Sequence, residues 1–394
     1  MVFFIIMIVF SPFTAVIPAI YAGRLLFAKK LKIEKNYWSI GLFLLFCYSV
    51  FSAVINKSIL SLLASIGLFL YFAISILFQN YFIKMVRINN ALKLLVYLTM
   101  LTAITAIIEK LAFILMGFPN HRVFSTFGNP NMAGGWFASM LLVAIYLKSV
   151  KTNKKYFDIY NVAMILIAIA LILTESSGAF IALIGSLFIY YLLRKDKNFK
   201  STLLGTLCIA IVAVVFLWVQ SKMSSVTPIG EIKVSFSSRY DVWLGSIKMF
   251  TEKPIVGWGF LGTLEHGIDY NYRNGNAIHS HNLWLTFLVS GGVVALGIYI
   301  YIKYNLFKDI IKLYKSRNIM VPLIVSLNTM VIIQGLVDCP LYAPQLGILF
   351  IATGAITYNL SCNKISKKHI SKKNINVKCK IRKVFKNGED RIAI

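Results

Sequence analysis

SILSLLASIGLFLYFAISILF, residues 58–78, carries no charged side chain over 21 positions. A helix needs about 20 mostly apolar residues to cross the hydrocarbon core of a bilayer. Apolar residues run continuously here rather than alternating, so the segment reads as a helix and not a barrel strand, the only other spanning form. The same pattern recurs near 1–22, 38–56, 92–117, 132–147, 159–174, 179–193, 202–220, 282–302, 319–338 and 343–361. The first segment lacks a charged leader and a small-residue cleavage site, so it is expected to be a true span. The fold expected is all-α: a polytopic transmembrane bundle of about eleven spans over 1–361, followed by a basic tail, 362–394.

Composition agrees. Of 394 residues, 58% are hydrophobic and 14% charged, against about a quarter charged in soluble domains. The net charge of +27 raises the question of nucleic acid, and its distribution argues against it. Segments 23–37, 79–93, 148–157, 194–201, 303–318 and the tail hold 32 of the 41 lysines and arginines. These segments alternate with poorer ones, as the positive-inside rule requires. That places the tail in the cytoplasm against anionic headgroups and the N-terminus outside. Five cysteines form no CxxC and no disulfide framework. No repeat is evident, and nothing in the sequence sets an oligomeric state.

Under this topology one large outer loop, 221–281, collects unusual polar residues. Four of the five histidines, His121, His266, His279 and His281, lie outside. Residues 238–250 read as a short interfacial helix with Trp243, Ile247 and Phe250 on one face, ended by Pro254 and the glycines after it. Arg239 at its start opposes the helix dipole, which suggests an anionic ligand. His279 and His281, followed by Asn282, enter a span. Imidazole titrates nearest neutrality and suits acid–base work. The pair also fits a helix cap, or a metal site awaiting a third ligand. Asn129-Pro130-Asn131 makes a turn into the next span, with Arg122 ahead of it. Glu109 and Lys110 sit in the outer part of a long apolar segment. Ionisable groups there are functional candidates, although adjacent residues point apart on a helix.

The order of these motifs carries a resemblance. Arg122 and Phe127 precede Asn129-Pro130-Asn131. A Thr174-to-Gly178 hairpin follows, then Arg239, Trp243, Pro254, Gly257 and Gly259 in the loop, then His279, His281, Asn282 and Gly292. Over about 121–302 this resembles the O-antigen ligase and O-antigen polymerase superfamily of bacterial envelope glycosyltransferases. The resemblance implies a metal-independent, cofactor-free enzyme of the GT-C type. It implies a donor glycan on undecaprenyl diphosphate and a glycan or lipid acceptor, used at the outer face of the cytoplasmic membrane. By position, His281 is the expected base on the acceptor hydroxyl and Arg239 the expected diphosphate ligand. Arg122, Asn131 and His279 are expected to contact substrate. Many family members carry Ser-Arg-Gly in the hairpin. Here Ser176-Ser177-Gly178 lacks that arginine, and Arg273, Lys222 or Lys233 is left to supply the charge. The Lys/Ile/Asn-rich composition favours a polymerase in a host without a lipid core to receive the glycan. A transporter is the rival reading, but it would carry charge at mid-membrane, where these spans carry little. A scaffold would leave the histidines and arginines idle.

Overall fold

The computed structural model describes residues 1–151, 158–194, 228–270, 272 and 277–362, the side chains of 228–238 excepted. The described residues form helices and no strands. In chain order the helices are α1 (Val2–Phe10), α2 (Val16–Phe27), α3 (Tyr37–Ile55), α4 (Ile59–Tyr81), α5 (Met85–Leu115), α6 (Pro130–Val150) and α7 (Ile159–Leu173). They continue as α8 (Ser177–Leu193), α9 (Pro228–Glu252), α10 (Gly262–His266), α11 (Leu283–Lys315), α12 (Val321–Gln334) and α13 (Pro344–Ser361). The expected span 202–220 lies outside the described residues. Five described helices, α3, α4, α5, α6 and α11, are each long and apolar enough to cross a membrane alone, and α2, α7, α8 and α12 are shorter apolar helices. The all-helical membrane bundle is therefore as expected, while the count of eleven is not reached by these criteria.

The first expected span, 1–22, is two helices. Ser11 precedes Pro12, which drives it out of the helical region, and its backbone is extended at φ −164° and ψ 146°. Thr14 Oγ1 then donates to the Met7 carbonyl at 2.6 Å, and Thr126 Oγ1 donates to the Val9 carbonyl at 3.1 Å. Side chains thus satisfy the carbonyls that the break releases, as an apolar setting demands.

Two helices outrun their expected spans. α5 starts seven residues before 92, and α11 runs thirteen residues beyond 302. The extra turns, MVRINNA at 85–91 and KYNLFKDIIKLYK at 303–315, contain no Gly or Pro, so the helix continues where the lipid-compatible stretch ends. At 33 residues α11 is about 50 Å of helix, more than the hydrocarbon thickness of about 30 Å. One consequence is that Lys303, expected to open a basic loop, turns into the bundle. Its Nζ donates to Asn328 Oδ1 at 3.0 Å and lies 4.3 Å from the Phe350 ring centre.

Inside the bundle, α8 packs along α12, α3 along α4, α6 along α7, and α11 along α3. Lipid offers no hydrophobic drive for helix association, so close approach through small residues matters. At Gly134 an added Cβ would come within 2.6 Å of Ser176 Cβ, which lets the α7–α8 turn seat directly on α6. Leu62, Ile66, Ile108, Ile165 and Ile181 point outward and are exposed, the distribution of a surface that meets lipid.

The two ends of the bundle differ. At one end the basic segments meet: Lys32 N–H donates to Asn80 Oδ1 at 3.1 Å, and Tyr37 Oη donates to Asp309 Oδ2 at 3.0 Å. The turns after α5, α7 and α12 and before α11 gather at the other end.

Candidate active site

α11 begins at a tight cap. Asn282 Oδ1 accepts from the N–H of Trp284 at 2.9 Å and of Leu285 at 3.0 Å, a helix N-cap. Its Nδ2 donates to the Leu336 carbonyl at 3.0 Å, and Leu283 N–H donates to the Gly335 carbonyl at 2.7 Å. The chain leaving α12 is thereby pinned to the start of α11. Asp338, four residues past the end of α12, is carried against His279 and His281.

The three side chains form one cluster. Asp338 Oδ1 lies 3.5 Å from His279 Nε2 and 3.6 Å from His281 Nδ1. The imidazole centres are 4.6 Å apart at 72°. The backbone N–H of His281 donates to His279 Nδ1 at 3.1 Å. This assigns the lone pair of neutral His279 to Nδ1 and its proton to Nε2, facing Asp338. Burial pushes His279 down to about 4, with Asp338 only partly opposing it, so His279 is neutral at neutral pH. Burial alone would raise Asp338. The nearby His281 and His279, with the Cys339 N–H at 2.8 Å, outweigh it and hold the carboxyl down at about 2.

The histidines differ in access. The His281 side chain is 37% exposed against 11% for His279. His281 has φ +48°, a left-handed conformation uncommon for a residue with a Cβ. With Nδ1 turned to Asp338, its Nε2 remains to face an incoming hydroxyl. The 3.6 Å contact becomes a hydrogen bond if it shortens by about 0.5 Å.

Three donor atoms, one each from His279, His281 and Asp338, lie within 4.8 Å of one another, a set that can hold a metal. The tautomer of His279 works against this. Its Nε2 carries the proton, and ligation there would require giving up the hydrogen bond to Nδ1.

α9 reaches the cluster through Trp243, whose Nε1 donates to the His281 carbonyl at 3.2 Å. Arg239 is one turn earlier, about 6 Å along the helix axis, and half-buried. α9 is a 25-residue helix rather than the short one expected at 238–250. Arg239 is its twelfth residue, so the reasoning from an unfavourable helix start does not hold. Val242, Ser246 and Met249 form its buried face, packed with Tyr272 and Val289. Ile247 and Leu244 stay exposed on the other side.

The segment after α9 explains the glycine motifs. α11 breaks at Gly291 and Gly292, and the freed carbonyls of Val289 and Ser290 accept from Trp258 N–H at 2.8 Å and Gly259 N–H at 2.9 Å. α3 holds the other edge: Tyr48 Oη, Ser52 Oγ and Asn56 Nδ2 donate to the carbonyls of Ile255, Val256 and Gly257. A Cβ on Gly257 would lie 2.5 Å from Gly291 N, and one on Gly292 would collide with the Ile255 carbonyl. Gly292 also has φ +63°, open chiefly to glycine.

Beside the cluster lies a second polar group. Asn129 Oδ1 caps α6 by accepting from Met132 N–H at 2.8 Å, the ordinary role expected of that turn. Asn131 does more. Its Oδ1 accepts from Arg122 Nη2 at 3.0 Å and Ser176 Oγ at 3.4 Å, and its carbonyl accepts from Gln334 Nε2 at 3.3 Å. Arg122 Nε also donates to the Thr174 carbonyl at 3.2 Å. Ser177, at the start of α8 where the arginine was expected, is exposed. Arg273 and Lys222 lie outside the described residues, as does the Lys233 side chain.

Glu109 and Lys110 take structural partners. Glu109 accepts from His121 at 2.8 Å and from the N–H of Phe124 and Ser125. Lys110 donates to the His121 carbonyl at 2.7 Å and pairs with Glu175 at 3.3 Å. They fasten the turn that carries Arg122. The sequence reading missed Asp338 and Gln334. Both sit at the end of an apolar run, and only pairing of the α12 exit with α11 brings them to the histidines and Asn131.

The fold and this cluster define a multi-pass helical membrane protein with a histidine–carboxylate centre at one end. Residues 162–300 match the O-antigen ligase family model, which agrees over that stretch with the resemblance to the O-antigen ligase and polymerase superfamily. No curated protein matches the chain. The matched stretch contains Arg239, His279 and His281. Arg122, Asn131 and Asp338 lie outside it.

Proposed function

We propose that this protein polymerises a surface glycan from undecaprenyl-diphosphate-linked units at the outer face of the cytoplasmic membrane, with its basic tail inside. The observation that carries the reading is the accessible His281 set against Asp338 within reach of arginine-bearing elements. Asp338 orients the His281 ring. His281 Nε2 takes the proton of the acceptor hydroxyl, the oxygen bonds to the anomeric carbon of the donor sugar, and the bond from that carbon to the diphosphate oxygen breaks. The departing lipid diphosphate carries the negative charge away. Arg239 and Arg122 offer planar, bidentate donors to it and stabilise charge as it builds. His279 stays neutral, and with Asn131 it lines the sugar path; Arg273 is a further cation for the diphosphate.

The reaction on this reading needs no metal and no cofactor, in keeping with the His279 tautomer. Full activity in chelator is expected. Reconstitution with a labelled undecaprenyl-diphosphate oligosaccharide tests the whole scheme. A ladder of products supports polymerisation. A single transfer to a separate lipid or wall acceptor would make the enzyme a ligase instead, the second reading that the family match supports.

A further inference from the structure

The histidine cluster and the Arg122 group are built on different helices, and one short strip of chain, residues 334–338, joins them where α12 ends. On one side the strip is fixed to the start of α11: the Gly335 carbonyl accepts from Leu283 N–H at 2.7 Å, and the Leu336 carbonyl from Asn282 Nδ2 at 3.0 Å. On the other side it lies on α6 and α8. A Cβ added to Gly135 would come within 2.7 Å of Gln334 Oε1 and 2.8 Å of its Nε2, and one on Gly178 within 2.8 Å of Val337 Cγ2. Both glycines leave room for the strip, as small residues do between membrane helices. Asp338 ends the strip against the histidines, and Gln334 begins it against Asn131.

Gln334 is out of keeping with its surroundings. Val331, Ile332 and Ile333 precede it, and it is 2% exposed. A buried amide is costly unless it is hydrogen-bonded, and an apolar side chain of similar volume would fill the space without that cost. Among the described residues its side chain makes one hydrogen bond, from Nε2 to the Asn131 carbonyl at 3.3 Å. That bond ties the first turn of α6 to the α12 exit. Asn131 in turn holds Arg122 Nη2 and Ser176 Oγ on its Oδ1. A chain of contacts thus runs from the guanidinium through Asn131 and Gln334 to Asp338 and His281. We infer that Gln334 is a positioning residue: through Asn131 it sets where the Arg122 guanidinium stands relative to His281. The inference rests on the donor role proposed above for Arg122. A reacting group misplaced by about 1 Å can cost on the order of 10²-fold in rate, so the loss of this tether is expected to show in transfer.

Gln334→Met keeps the length of the side chain and removes its donor. The assay is transfer from the labelled undecaprenyl-diphosphate oligosaccharide in proteoliposomes of the full chain, read as kcat/KM for that donor. Gln334→Met is expected to lower kcat/KM at least about tenfold in the wild-type background. Beside Arg122→Ala it is expected to lower it less than about twofold, because the guanidinium it would place is already gone. A residue that only supports the fold would lower it by the same factor in both backgrounds. Gly135→Ala reaches the same state by another route. It favours the helix while its Cβ crowds the Gln334 amide, and the same dependence on Arg122 is expected of it. It carries the test where Gln334→Met does not fold. Equal factors in the two backgrounds, or wild-type transfer by the variants, would overturn the inference, and an impaired Arg122→Ala would show that the donor reading still stands. Unimpaired transfer by Arg122→Ala would remove the donor reading and this inference with it.

Discussion

Two histidines separated by one residue end in different surroundings. Asn282 caps α11, and the chain just before it must turn sharply, which puts His281 in a left-handed conformation and turns His279 inward against Tyr342. The sign of each pH effect follows. The unfolded chain binds a proton at His279 near its ordinary value of 6.5, while the folded site resists it until about 4. Unfolding is thus favoured by acid across that window, and the melting temperature in detergent is expected to fall from pH 6.5 to 4, less so in His279→Gln. The depressed Asp338 acts lower. Its contribution is whole above the ordinary carboxylate range and is lost as pH falls towards 2. On the proposed mechanism its role at neutral pH is to orient His281. Asp338→Asn is expected to cut kcat by on the order of 10²-fold with the KM for donor little changed, as steady-state transfer assays will read. A KM effect with intact kcat would make Asp338 a binding residue instead.

At the scale of elements, the site depends on a loop fitted into a broken helix. The 254–259 segment satisfies carbonyls that the α11 break exposes, and α3 satisfies the segment in turn. Gly292→Ala meets both a left-handed backbone and the Ile255 carbonyl. It should cost at least about 1–3 kcal/mol and loosen α9, so that a thermal melt shifts down and transfer falls with it. A melt equal to wild type would mean the junction is not needed. The turn that carries Arg122 hangs on Glu109. Removing that carboxylate leaves the Phe124 and Ser125 N–H groups without their acceptor, at about 1–3 kcal/mol. Hydrogen exchange is expected to accelerate at residues 123–127 in Glu109→Ala and not in α6. The motif glycines were visible in the sequence, but their reason was not: Gly257 and Gly292 each answer to a backbone more than thirty residues away.

For the whole molecule, apolar runs were enough to set an all-helical membrane class, because lipid leaves few alternatives for a backbone. They could not show that Ser11 and Pro12 divide the first run, or that α5 and α11 extend past the apolar stretch, since hydropathy marks contact with lipid and not the end of a helix. The site was half legible. His279, His281 and Arg239 sit in unusual polar surroundings that draw attention. Asp338 and Gln334 fell within the expected span 319–338 and drew no reading, because their meaning comes from a helix exit folded back on α11. Charge alternation gives the expected orientation of the chain, with the basic segments inside, and that expectation is open to a direct check. A cysteine in place of exposed Asp269 should react with an impermeant maleimide in intact cells, whereas one replacing Lys308 should react only after permeabilisation.

The central claim is that His281, set by Asp338, takes the acceptor proton. It is tested most directly by single-turnover transfer of labelled glycan from undecaprenyl diphosphate in proteoliposomes, comparing wild type with His281→Ala at saturating donor. The expected result is a rate reduced by at least about 10²-fold with donor affinity unchanged. A variant that transfers within twofold of wild type would contradict the account.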